Sequence, residues 1–448
     1  MYLNSHKPKR QDSPWRVLTL VILIIGGVYV IREQMGDASW AHPFDPTPTP
    51  TRSAESFFDE AETLYAEGAL DEALSAFRQA FAIDSEDNVA LFRLVRLMII
   101  RGHTREVLEE YGERLQSKEL GDAQTMAVLG MALDWHALFN TQDLLPVYVT
   151  LGVVDQDEVQ KADWVYDPER IGRRLVQTAQ KLCERAIRLD NDLPEAHAYL
   201  AEALADRGRY EEAQAAAQTA INLNPNIPDT HRAMAYVYEV QGEYAQAIEY
   251  YQAAIQTHSK LDFLYIALGK NYRAIGFREQ LYGQWEEAQP YFEQAVAAFE
   301  QAIKLDPQNP SSYDEIGWTY GHFMGEKRET KQKGVDYLEE ALSQDPEYAM
   351  AYRHLGQVYY YGLRNYEEAI PNLEKAIELG DIPAVDKAMC HIMLGWSYYT
   401  LDVREHGTEK ACVNATPHFE SALEVLLKLP QRELDLENLA HQGLDACQ

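Results

Sequence analysis

Pro194 and Pro228 each open a copy of one 34-residue pattern, the two joined without a gap. Laid over each other, Leu200, Ala201 and Leu204 fall on Met234, Ala235 and Tyr238, and Gly208 falls on Gly242. Tyr210 meets Tyr244, Ala213 meets Ala247, Ala217 meets Tyr251, and Ala220 meets Ala254. Apolar residues recur at i, i+3, i+4 and i+7 on both sides of the glycine, which predicts two amphipathic helices around a tight turn. The alanines let the two helices of such a hairpin approach closely. A lone hairpin of this kind cannot bury its apolar face, so copies must stack on their neighbours into one elongated core.

These residues resemble the tetratricopeptide repeat, with its large and small positions in a first helix, Ala/large/Ala in a second, and a closing proline. The resemblance implies an all-α solenoid, a right-handed superhelix of about nine helical hairpins over residues 54–429, ending in a polar capping helix at 430–448. The register extends backward through Phe57, Ala61, Gly68, Ala73 and Ala80, then through a degenerate unit with Leu91, Leu94 and Gly102. A third unit starts at Leu129-Gly130, and its second helix arrives only near Ile171, leaving an insertion at 140–169. Forward, units follow at Leu268-Gly269, Ile316-Gly317, Leu355-Gly356 and Leu394-Gly395. In the first of these, Ala288–Phe292–Ala295 repeats as Ala295–Phe299–Ala302, which predicts a second helix lengthened by about 14 residues with its apolar face kept, and kinked at Pro290.

Ahead of the repeats lie three further segments. Residues 1–16 are basic, with Lys7, Lys9, Arg10 and Arg16 against Asp12. Residues 17–31 carry no charge and predict a single membrane-spanning helix, short at about 22 Å against the ~30 Å hydrocarbon core, lengthened by Trp15, Arg16 and Arg32 at its ends. A signal peptide cleaved near Ala38 or Ala41, and so a secreted product, is the alternative. With positive charge concentrated before the apolar run, the N-terminus stays cytoplasmic and the repeats lie outside, at the cell membrane in single-pass topology. Residues 32–53 form a Pro/Thr-rich linker whose alternating prolines favour a semi-rigid spacer.

A formal net charge of −31 argues against nucleic acid, whose phosphates the chain would repel, and against docking the repeats on anionic lipid. Four cysteines without CxxC spacing are no disulfide framework; Cys183 reads as a core thiol, and Cys412 and Cys447 would pair only in an oxidising compartment. No catalytic signature occurs, and His406, Cys412, His418 and His441 match no zinc spacing, so neither an enzyme, a metal nor a cofactor is expected.

By the resemblance, the first helices of the hairpins line a concave groove. On this chain that gives a partner-binding set of Arg232, Tyr236, Lys270, Arg273, Trp318, His322, Arg353, Tyr360, Tyr361, Trp396 and Tyr399, with Glu202, Asp206 and Asp314 nearby. The Lys/Asn set with which some members clamp a terminal carboxylate is missing. Aromatic and arginine side chains are the types enriched at binding hot spots. The expectation is a membrane-anchored, non-catalytic scaffold that binds a protein or extended peptide in this groove and helps assemble or stabilise a cell-envelope complex. A carbohydrate- or envelope-polymer-binding module using the same aromatics is the alternative.

Overall fold

The computed structural model describes residues 52–116, 122–139, 142–161, 164–380, 382–406, 412–429 and 432–447. The apolar run at 17–31, the basic 1–16 segment and the linker up to residue 51 lie outside them. Among the described residues no strand occurs, and no helix is long and apolar enough to cross a membrane.

Residues Ser53–Gln448 form one unit built from consecutive antiparallel helical hairpins. They are α1 (Ala54–Glu67) with α2 (Leu70–Ile83), and α3 (Asn88–Ile100) with α4 (104–116). Next, α5 (Ala123–His136) runs through α6 (Leu145–Thr150) and α7 (Gln156–Val159) to its partner α8 (Pro168–Leu189). The regular pair follows: α9 (Pro194–Asp206) with α10 (Tyr210–Leu223), and α11 (Pro228–Val240) with α12 (Tyr244–Thr257). Then come α13 (Asp262–Leu281) with α14 (Trp285–Leu305), and α15 (310–323) with α16 (Arg328–Gln344). The last are α17 (349–363) with α18 (Tyr366–Leu379), α19 (Ala384–His406) with α20 (Ala415–Leu426), and the cap α21 (Leu434–Ala446).

The hairpins follow from local chemistry. Gly208 and Gly242 turn the chain at φ +69° and +76°, a left-handed conformation that glycine adopts without penalty. Proline opens α8, α9, α11 and α15 in their first turn, where its missing N–H breaks no bond. Within a hairpin, a glycine on the first helix receives a large side chain of the second. A Cβ on Gly269 would stand 2.5 Å from Phe299, one on Gly356 would stand 2.5 Å from Leu373, and one on Gly395 would stand 2.5 Å from Phe419. Cys183 plays the same part against Gly130, as the buried thiol the sequence predicts.

Three details correct or extend the sequence reading. The growth in the α13–α14 hairpin is shared: α13 has 20 residues and α14 has 21, against 13 and 14 in α11 and α12, so each arm gains seven. Gly276 faces Phe292 as Gly269 faces Phe299, so the same contact is made twice, one heptad apart on both helices. One arm alone could not lengthen without leaving its apolar face bare. Secondly, the 140–169 insertion is folded where described. Leu144, Tyr148, Leu151 and Val154 are buried, Tyr148 OH lies 3.0 Å from His136 Nε2, and Gln116 donates to the Leu151 carbonyl at 2.8 Å, fixing it to α4 and α5. Thirdly, Cys412 and Cys447 form a disulfide, tying the segment before α20 to the end of the cap, with Cα atoms 5.3 Å apart.

The N-terminal hairpins also reach across to later ones. Arg96 on α3 forms an ion pair with Asp229 at the start of α11, 133 residues away, and both are under a tenth exposed. Arg101 reaches Asp306 at 2.9 Å and Asp262 at 3.4 Å, and the Tyr65 ring meets His258 at a 5.2 Å centroid distance. Asp229 lies 3.7 Å from Arg232, whose guanidinium is 2.7 Å from Glu202, which in turn accepts from Trp135 Nε1 at 2.9 Å. Burial alone would raise the Asp229 carboxyl, but Arg96 and Arg232 outweigh it and hold its pKa below the usual range. Burial dominates at Glu202, whose pKa is raised despite Arg232 and Trp135. Removing one partner of a buried pair strands the other charge, typically at about 3–5 kcal/mol. Arg96→Met and Asp229→Leu are therefore each expected to lower stability by that order in urea melts. The double variant should lose clearly less than the sum of the two.

Candidate functional site

The concave-face residues named from sequence fall into separate groups. Arg232 belongs to the buried network of the N-terminal half, and Tyr236 stands beside it, partly exposed. Arg232 is 6% exposed and lies over the Trp135 ring at 5.0 Å, and the Tyr236 hydroxyl donates to Asp206 at 2.6 Å. The guanidinium of Arg232 is thus already engaged inside the protein, where the sequence suggested a free anchor.

Five more residues are brought into one cluster at the α13, α15 and α17 helices. Trp318 is stacked between two imidazoles, His322 at 4.4 Å and His354 at 4.5 Å, with interplanar angles of 19° and 12°. The guanidinium of Arg353 sits 5.9 Å from the Trp318 ring and pairs with Asp386 at 2.5 Å. Arg273 pairs with Glu315 at 2.5 Å and donates to Thr319 Oγ1 at 3.2 Å, and Lys270 lies 3.8 Å from the same Glu315. Although burial would raise it, Arg273 and Lys270 draw the Glu315 carboxyl below its ordinary pKa. Lys270 is the accessible cation here, with half of its side chain exposed, whereas Arg273 and Arg353 are held by carboxylates.

The backbone at this cluster is unusual. Thr319–Phe323 in α15 and Val358–Leu363 in α17 are wound as π turns, starting two residues after Gly317 and Gly356, at equivalent places in successive hairpins. Such turns insert a residue and redirect the side chains beyond them. The first carries His322 back onto Trp318 and sets Phe323 between Phe277 and Phe292, at 5.6 and 5.5 Å. The second presents Tyr360 and Tyr361 and ends at Arg364, a non-glycine residue at φ +50°. Tyr360 packs edge-on against Tyr361 at 4.6 Å and Tyr366 at 5.5 Å, and Tyr361 is 50% exposed. On α19, Trp396 packs against Tyr399 at 5.6 Å and Phe419 at 5.4 Å, and Trp396 and Tyr399 remain partly exposed.

Sequence reasoning missed His354, whose Nδ1 lies 2.7 Å from Asp314, as well as Asp386, Glu315 and Phe323. These sit beside the expected groove positions, and the π turns that bring them in leave no mark in the repeat pattern. Of the residues considered for a metal, Cys412 is in the disulfide, and His418 lies 3.3 Å from His391, ring nitrogen to ring nitrogen.

Among comparisons with known proteins, three tetratricopeptide repeat models match, over residues 226–301, 174–236 and 331–382. No curated protein matches the chain. Similar solved structures include a thermophilic TPR protein of Thermus thermophilus, at 19% identity, 45% of this chain, 98% of that chain and a TM-score of 0.38. They also include YrrB, a TPR protein with an unusual peptide-binding site, at 20% identity, covering 44% and 92% with a TM-score of 0.29. The human IFIT1 dimer with PPP-AAAA, at 14% identity, covers 88% and 91% with a TM-score of 0.48. Residues 174–301 and 331–382 of the chain thus match tetratricopeptide repeats.

Burial, reinforced by Lys331 and neighbouring cations, lowers the pKa of His322 to about 4. Burial likewise brings His136 and His391 to about 4, Arg105 adding to it at the first and His418 at the second. An unfolded imidazole titrates at about 6.5, so the unfolded chain takes up these protons first as pH falls. Stability is expected to be level above about pH 6.5 and to drop between there and about 4, read as falling melting temperature. His322→Phe should make that drop shallower without lowering the melting temperature at pH 8 by a comparable amount.

Proposed function

We propose that this tetratricopeptide repeat protein is a non-catalytic scaffold that takes an extended protein segment along the concave face of its C-terminal half. Repeats of this family mediate protein–protein interaction, and the share of the face left open supports that use here. The observation that carries the reading is the contrast along the face. The arginines are held by carboxylates, while Tyr360, Tyr361, Trp396, Tyr399 and Lys270 retain exposed surface. Such aromatics bury large areas at low rotamer cost and suit a peptide backbone and its apolar side chains. A glycan reading is weakened at Trp318, because two imidazoles already stack on that partly exposed ring.

The scaffold is anchored at the cell membrane through residues 17–31, with 1–16 in the cytoplasm and the repeats outside, where it serves assembly or stabilisation of an envelope complex. The disulfide between Cys412 and Cys447 supports this placement, since such bonds persist in oxidising compartments and are rare in the cytosol. A charge of −31 speaks against nucleic acid as the partner.

Two measurements test the reading. Affinity capture from an envelope extract with residues 52–448 is expected to recover a protein partner that Tyr361→Ser with Trp396→Ala loses. Retention on cell-wall polymer with no protein recovered would overturn the groove assignment. An alkaline phosphatase fused at the C-terminus should be active, and Cys412 and Cys447 should resist maleimide until a reductant is added; a bright cytoplasmic fluorescent-protein fusion would overturn the topology.

A further inference from the structure

The doubled heptad of α13 and α14 carries their turn beyond the hairpin before it. Seven extra residues per arm at 1.5 Å rise amount to about 10 Å. Every residue from 281 to 287 is exposed. At the corresponding turns the chain has Arg207-Gly208-Arg209 and Gln241-Gly242-Glu243, as solvent-facing turns should be. Here it has Leu281-Tyr282-Gly283-Gln284-Trp285, with exposures of 70% for Leu281, 74% for Tyr282 and 62% for Trp285. Phe277, one turn back on α13, adds a ring 42% exposed. Trp285 stands where Tyr210 opens α10 and Tyr244 opens α12, at the first residue of the second helix.

The projection is rigid. Its stem is packed by the two glycine–phenylalanine contacts, braced by Phe323 against Phe277 and Phe292, and held by Gln280 donating to the Phe323 carbonyl at 3.0 Å. An aromatic and aliphatic tip on a stiff, lengthened stem contributes nothing to the core, so the extra heptads need another use. Isolated exposed apolar residues are ordinary, but three within five positions are a contiguous patch of the sort that marks an interaction surface.

Charge selects the occupant. Glu286 and Glu287 are exposed beside Trp285, while Glu279 just before the tip is paired with Arg278 at 3.9 Å. The unpaired charge at the tip is thus that of Glu286 and Glu287, on a chain of net charge −31. Two such tips would repel each other, and an anionic bilayer would repel either one. We propose that this tip is a docking knob, separate from the concave face, that seats Leu281, Tyr282 and Trp285 in an apolar cleft edged by lysine or arginine on a partner protein. Aromatic burial supplies the affinity, and the glutamates set orientation and encounter rate.

The test places a benzoylphenylalanine photo-cross-linker at position 282 of the full chain, in cells of the organism that encodes it. The expected product is one discrete protein adduct whose cross-linked peptide, identified by mass spectrometry, is apolar and flanked by Lys or Arg. Its yield should fall roughly tenfold with Leu281→Ser plus Trp285→Ser. It should fall with Glu286→Lys plus Glu287→Lys as well, and with added salt. These positions are exposed, so circular dichroism melts should be unchanged. Adducts to a second copy, to lipid or to residues 1–51 of the same chain would overturn the proposal, as would no adduct from a folded chain. A parallel cross-linker at position 361 reports on the concave face, so loss of one site's adduct with retention of the other's shows which of the two assignments fails.

Discussion

The ion pair between Arg96 and Asp229 joins helices 133 residues apart, and the buried network of the N-terminal hairpins is built on it. A buried guanidinium and carboxylate are costly to desolvate, and they are tolerated only when each is satisfied from several sides. Here Asp229 is shared with Arg232, Arg232 with Glu202, and Glu202 with the Trp135 indole. The chain of contacts links the first helices of the second to the fifth hairpins. Arg232 and Glu202 are turned on each other and buried, while Tyr236 and Asp206 beside them keep exposed surface.

In that half the same principle operates with a different result. Glu315, Asp386 and Asp314 hold Arg273, Arg353 and His354, and the imidazoles of His354 and His322 stack on Trp318. The pairing fixes this cluster, and beyond it in the second π turn Tyr361 is half exposed. Rigidity beneath exposed rings is what a binding surface needs, because a side chain already fixed loses less entropy on contact.

Much of this was legible beforehand. A 34-residue period with Gly, Ala and large apolar residues at set places admits few structures, and the hairpins, their order, the Cys183 core thiol and the capping helix follow from it. The lengthened hairpin was visible through its repeated Ala–Phe–Ala spacing, but not its division between both arms, which rests on Gly276 meeting Phe292. The folded 140–169 insertion was unreadable for a similar reason: Tyr148 is buried by His136, which belongs to another element.

The sequence by itself determined the repeat, because helix periodicity and small-residue spacing are local properties that each segment carries whatever surrounds it. Only the tertiary structure decided which concave residues remain available. Arg232, Arg273 and Tyr361 are all assigned to the same face by the repeat, yet the first two meet carboxylates brought by other helices and the third does not. Ion pairs across 30 to 133 residues depend on how far the solenoid curls, and that curvature is a sum of small packing angles at every interface, written at no single position.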